Sequence, residues 1–552
     1  MRWRQVPHPR AMVPRRDAPF PLWMIFPVLF AALYLTHFTL LRLPYYWDEA
    51  GYYIPAAWDF FRTGSLIPTS TLTNAHPPLP SIYLALWWKA SGFTPEVTRQ
   101  AVLIVAAFAL LGVWRLARRL HGNGPVTFVT VALTGLYPIW FAQSTLAHAD
   151  IFAAACTLWG LGFVLPPDST SQVKRNAPAA AAWFMAAALC KETSIVVPLT
   201  LAALSIWEAV RADSSARGRL LRETAWLAAC VVPLAAWYTW HYMRTGFFFG
   251  NPEFLRYNAE ANFSSLRFLA AFTHRVLHLT AHMNLFVPVL LGLAALLLPP
   301  RTNEAGRELV ALSRATQLRI LVLLAANAVF FSVLGGALLC RYLLPMYPLV
   351  LLLAVSALYR RVLWWPALVL LSAGAFVAGI FIDPPYGFAP EDNLAYARMI
   401  RLHQTAIAQL QARYAGATVL SAWPATDELS KPQLGYVKEP FAVYAIDDFS
   451  VQQIDHAAET PGSYSAALVF STKIEPANPL FTLGPRNRQL DEQYFGLHHD
   501  LPPEAIASKL GGTIVWKQYS SNGSMWAALL RFNREFETRL DQHALRDALA
   551  HP

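Results

Sequence analysis

The sequence is poor in charge. Only 14% of its 552 residues are Asp, Glu, Lys or Arg, where a soluble globular domain carries about 25%. Apolar residues make up 55% of the chain and the mean hydropathy is +0.34, which excludes an ordinary water-soluble enzyme. Cysteine is scarce: Cys156, Cys190, Cys230 and Cys340 are the four present. All lie in or beside apolar runs, without a disulfide framework or metal-ligand spacing, and read as small core residues. No internal repeat or extended low-complexity linker is present. The net charge of +10 is no sign of a nucleic-acid partner. The basic residues sit in short loops between apolar runs, as in cytoplasmic loops of membrane proteins.

What the chain has instead is long apolar runs. A helix needs about twenty apolar residues to cross a bilayer. Spans are expected near 20–43, 99–117, 125–143, 150–165, 178–190, 193–210, 224–243, 283–299, 318–339, 342–359 and 363–382, eleven in all. The basic stretch before the first run, with no short apolar region and small-residue cleavage site, argues for an uncleaved first span and a cytoplasmic tail at 1–19. The 78–93 segment is either a further span or a helix lying in the interface, and its two prolines, several Tyr and Trp rings and modest length favour the interface. With the N-terminus inside, every inside loop is basic: Arg115, Arg118 and Arg119; Lys174 and Arg175; Arg211 to Arg222; Arg301 to Arg319; Arg360 and Arg361. That is the positive-inside pattern. It places the region after the last span outside.

The same topology collects Asp48, Glu49, His76, His148, Asp150, Lys191, Glu192 and Arg341 at the outer ends of spans or in outer loops. One such charge can be a wet hairpin tip. Several on one side point to a shared polar cavity, because ionisable groups at membrane spans are costly and mark function. The first outer loop, 44–98, holds Asp48 and Glu49 directly after the first apolar run, then His76-Pro77-Pro78-Leu79. After Asp383 the charge rises. Residues 391–414 have helical spacing, and 417–423, 441–446 and 465–470 read as strands. Two further apolar runs flank Asn522-Gly523, a hairpin signal. This is a small α/β domain, 383–552, with no phosphate-binding glycine fingerprint.

Five motifs in order, across residues 20 to about 382, resemble those of the GT-C glycosyltransferases, closest to the protein O-mannosyltransferase and lipid A aminoarabinose transferase group. They are Trp47-Asp48-Glu49-Ala50, His76-Pro77-Pro78-Leu79, Asp150 opening a later span, Lys191-Glu192 before a run with Pro198, and Arg341-Tyr342-Leu343-Leu344-Pro345. The resemblance implies an α-helical polytopic membrane fold with a C-terminal extracytoplasmic domain. It also implies transfer of a sugar, with inversion, from a polyprenyl-phosphate donor to a lipid, glycan or protein acceptor. The expected location is a bacterial inner (plasma) membrane, with the active site on the extracytoplasmic side.

In this reading Asp48 takes the position of the general base, with Asp150 as second acid. Arg341, Lys191 and His76 are candidates for the donor phosphate, Arg341 first because a guanidinium fits phosphate oxygens in a fork. Glu49, Glu192 and His148 orient or bind acceptor, and Glu49 serves equally as a helix cap. The chain departs from the aminoarabinose transferases at His76, where they carry a lysine. Carboxylates with histidine can hold a divalent cation, but no fixed ligand spacing identifies a metal. The alternative is a transporter or flippase of lipid-linked sugar, which would often show internal repeats.

Overall fold

The computed structural model describes residues 21–71, 73, 76–165, 175–248, 264–334, 337–474, 476, 479, 485–495 and 499–532. The expected tail 1–19 and Lys174 lie outside them. The fold is largely helical, with a small C-terminal sheet domain.

The long helix Pro95–His121 is central, and its sequence explains both of its ends. Thr94 accepts from the amide of Val97, Pro95 fills the first helical position, and Glu96 sits in the first turn. Arg118, Arg119 and His121 occupy the last turn, and Gly122 closes it at φ +74°. Each choice caps the backbone or opposes the helix dipole. The helix is flanked by Leu22–His37 and Ala149–Val164, the latter backed by Ala177–Cys190.

Among the described residues, five helical stretches are long and apolar enough to cross a membrane: Leu22–Leu40, Pro95–His121, Glu192–Arg211, Ser214–Thr245 and Arg314–Val333. Side chains such as Leu35, Val210 and Leu363, each three-quarters exposed, form apolar surface suited to lipid rather than water. The chain is an integral membrane protein.

Several expected spans take another form. The run 125–143 is broken at Tyr137 into Gly124–Leu136 and Pro138–Gln143, because Pro138 cannot donate into the preceding turn. Ala149–Val164, Ala177–Cys190 and Trp365–Phe381 are helices, but shorter than 18 residues. The run 283–299 is one arm of a bent pair, Ser265–Asn284 with Phe286–Ala295, at 99°. Met283 and Asn284 make that bend with φ of +48° and +65°. The segment read as interfacial contains the helix Leu79–Ser91, which packs on Ile54–Thr63 and Pro95–His121.

The strands fall where the short apolar runs put them: β1 Thr418–Ala422, β2 Ala442–Ile446, β3 Ala466–Phe470, β4 Thr513–Tyr519 and β5 Trp526–Arg531. Their order is β2-β1-β3-β5-β4. The first three are parallel, with Val419 opposite both Val443 and Ala466. The β4–β5 hairpin closes through the Ser520 amide donating to the Met525 carbonyl at 2.8 Å. Helix Ala395–Tyr414 packs against this sheet.

Candidate active site

Asp48 sits on irregular backbone. Trp47 before it has φ +45°, a conformation that a bulky residue rarely adopts. A π-helical turn, Glu49–Tyr53, follows; such turns recur at functional sites. The sheet domain helps hold this loop. Trp423 packs edge-on against Trp47 at 5.0 Å, Tyr436 donates its hydroxyl to the Tyr45 carbonyl at 3.0 Å, and Tyr396 meets Thr145 at 3.0 Å.

The neighbours Asp48 and Glu49 part company. Glu49 is fully buried and faces Arg99, also fully buried. Arg99 donates to both Glu49 oxygens, at 3.3 and 3.2 Å, and to the carbonyls of Leu43, Pro44 and Thr145. The amides of Tyr46 and Ala147 also donate to Glu49, at 2.8 and 2.6 Å. Every polar atom of the pair is engaged, so Glu49 ties the 44–48 loop to the 144–148 loop.

Asp48 turns to Arg341 instead. The Arg341 guanidinium pairs with Asp48 through Nη2, with Glu391 through Nη1 at 2.6 Å, and with Asp150 across 3.4 Å from Nε. Lys191 donates to Asp150 at 2.6 Å and lies 4.1 Å over the Tyr342 ring. Thus five of the expected residues converge with one that the sequence reading passed over: Asp48, Asp150, Lys191, Arg341 and His148, with Glu391. His148 is buried beside Arg341, at 3.3 Å, and beside Gln143 at 3.0 Å. Burial, helped by the charges of Arg341, Lys191 and Arg99, holds the His148 pKa well below its ordinary value, so the ring is neutral. Three carboxylates therefore face two cations. Burial pushes Glu391 up to about 8, aided by Asp48, Asp392 and Asp150 and opposed by Arg341. A protonated Glu391 leaves two carboxylates for two cations.

His76 and Glu192 stand apart from the arginine. They pair with each other at 2.9 Å, each about one-fifth exposed. His76 stacks near Tyr53 at 5.5 Å and lines a partly open cavity with Tyr52, Tyr53, Thr73, Trp237 and His241. No carboxylate, lysine or arginine lines that cavity among the described residues. Of its wall residues, Tyr53 has its ring 5.8 Å from that of His148, and Ala149 precedes Asp150 in sequence. Asp48, with its side chain 20% exposed, is the most accessible acid around Arg341.

Two residues were missed by the sequence reading. Arg99 stands at the first position of an expected span, where a charge reads as a boundary. Glu391 lies beyond the last apolar run, and only its Pro-Glu-Asp setting before a helix distinguishes it.

Comparison with known proteins places this architecture. The apo crystal structure of ArnT from Cupriavidus metallidurans superposes with a TM-score of 0.53 over 92% of this chain and 98% of that one, at 16% identity. The chain has a GT-C fold. The structure of the same protein bound to undecaprenyl phosphate matches equally, at 16% identity over 91% and 98% of the two chains and a TM-score of 0.53. Residues 75–241 of this GT-C chain match the family model described as dolichyl-phosphate-mannose-protein mannosyltransferase. A polyprenol-phosphate-mannose–protein mannosyltransferase from Corynebacterium glutamicum is 30% identical over 108 residues, 18% of this chain. That match spans only 21% of the relative's length.

Proposed function

We propose that this protein is an inverting glycosyltransferase that moves a sugar from a polyprenyl-phosphate donor to a lipid, glycan or protein acceptor. The observation that carries the reading is the Asp48 carboxylate, paired with Arg341 and the most exposed acid around it, inside a fold shared with a protein whose structure was solved bound to undecaprenyl phosphate. An acceptor hydroxyl attacks the anomeric carbon from the face opposite the phosphate. The new C–O bond forms as the bond to the phosphate oxygen breaks. The acceptor proton passes to Asp48, and polyprenyl phosphate departs as the anion.

Arg341 acts here as the residue that orients Asp48, since its guanidinium is engaged by acids. The departing phosphate is received on the cavity side by His76, whose Nδ1 pairs with Glu192. Lys191 holds Asp150. The 383–552 region and the cavity lie on the extracytoplasmic side of a bacterial inner membrane in this reading, supported by the basic inside loops.

The test is incubation of purified protein with polyprenyl-phosphate sugars, following release of polyprenyl phosphate. Release that requires an acceptor supports transfer. Movement of intact donor across vesicles without release would make it a flippase. A reporter that works only outside the cytoplasm, fused after Pro385, is expected to be active; an inactive fusion would reverse the topology.

A further inference from the structure

Next in sequence to Arg341 and Glu391 are Cys340 and Asp392, which belong to a second cluster that the transfer reaction does not use. His282, Cys340 and Asp392 come from three distant segments, and all are buried, at 7%, 3% and 1% exposure. One ligand atom from each lies within 4.8 Å of the others. His282 Nε2 is 2.9 Å from Asp392 Oδ2. The other oxygen of Asp392, Oδ1, is buried with no hydrogen-bond partner, a state that native proteins rarely leave unanswered.

His282 is also held from behind. Its Nδ1 is 3.1 Å from the Tyr386 hydroxyl, an outer hydrogen bond of the kind that fixes the ring of a metal-bound histidine. It stands at the 99° bend, next to Met283 and Asn284 with positive φ. Strained backbone of this kind persists only where its surroundings over-determine it.

The geometry points to a binding site for one thiophilic divalent cation, zinc by chemistry, held by His282 Nε2, the Cys340 thiolate and an Asp392 oxygen. One sulfur, one nitrogen and one carboxylate suit zinc, while magnesium and calcium prefer sites made mostly of oxygen. The cation brings a charge of two to one thiolate and one carboxylate, so the occupied site is neutral. On binding, the Cys340 thiol proton leaves to solvent. The proton of His282 shifts to Nδ1, where the Tyr386 oxygen accepts it. One proton is released per cation. His278, whose ring is 5.3 Å from that of His282 and whose Nδ1 is buried without a partner, is the nearest further ligand. The site would brace the bend, the Cys340–Leu343 turn and the Pro390–Asp392 turn against one another. Arg341 and Glu391 are mounted on the last two.

The proposal does not depend on the transferase reading, and its test does not use activity. The full chain, purified in detergent and stripped with chelator, is titrated with cobalt(II). One cobalt per chain with a thiolate-to-cobalt charge-transfer band, displaced by zinc, is expected. The band is to vanish in Cys340→Ser and survive in a variant with Cys156, Cys190 and Cys230 all changed to serine. No band in the wild type, or a band that survives Cys340→Ser, overturns the site. If Cys340→Ser does not fold, the wild type and the triple variant decide it: a band in both supports the site, and a band lost from the triple variant overturns it.

Discussion

Asp48 and Glu49 are adjacent in sequence and each meets a buried arginine, yet the two pairs are built differently. Around Arg99 every donor has an acceptor: one carboxylate, three carbonyls and nothing left over. Around Arg341 there are too many acids: Asp48, Asp150 and Glu391 converge on one guanidinium, with Lys191 as the second cation. The closed pair fixes loops. In the proposed mechanism the oversubscribed one supplies Asp48 as the general base. On that reading saturation, rather than charge alone, separates the structural acid from the chemical one.

The comparison can be broken in four places. Asp48→Asn has the largest expected effect, a loss of roughly 10² to 10⁴ in turnover with the fold and donor binding kept, because the amide cannot take the proton. Near-normal turnover would remove Asp48 from the role. Arg99→Met comes next. It leaves Glu49 charged and buried, at a cost of about 3–5 kcal/mol in thermal unfolding, and Glu49→Leu added to it recovers much of that loss. If the single change is silent, the pair is not the fastening described.

Arg341→Lys keeps the charge but loses the fork. Turnover is expected to fall about tenfold, the scale of roughly 1.4 kcal/mol lost in the transition state, with little change in its dependence on donor concentration. A large rise in the donor concentration required would return Arg341 to the phosphate. The smallest effect belongs to Glu391→Gln. If Glu391 is the surplus acid, an amide replaces a carboxyl that already carries a proton, and the melting curve at neutral pH shifts by less than about 1 kcal/mol, within the range of ordinary tolerated substitutions. A loss as large as that of Arg99→Met would mean that Glu391 is a needed counter-ion.

The sequence carried the sheet domain well. Runs such as Ala466–Phe470 are short and bounded by turn residues, so length and β-propensity agree. The helix breaks were harder to read. Apolar composition is the same on both sides of Pro138 and of Met283, and hydropathy does not register a bend. The residues meeting at Arg341 could be placed on one side of the membrane from the chain's loop charges. Which acid takes which arginine could not, because Arg99 and Glu391 are chosen by packing between segments 50 residues or more apart. The His282–Asp392 contact joins positions 110 apart, beyond any local spacing rule.

Gly51 follows the acidic pair, and a methyl group there would come within 2.7 Å of Trp423 Nε1. The indole therefore rests where a side chain would otherwise stand, on the turn that carries Asp48. The sheet domain is thus no detachable module. Exchanging it for the corresponding part of a relative would exchange the lid over Gly51 as well, and a chimera that ignored this one contact would inherit a misfitted base loop even with every charged residue of the membrane half intact.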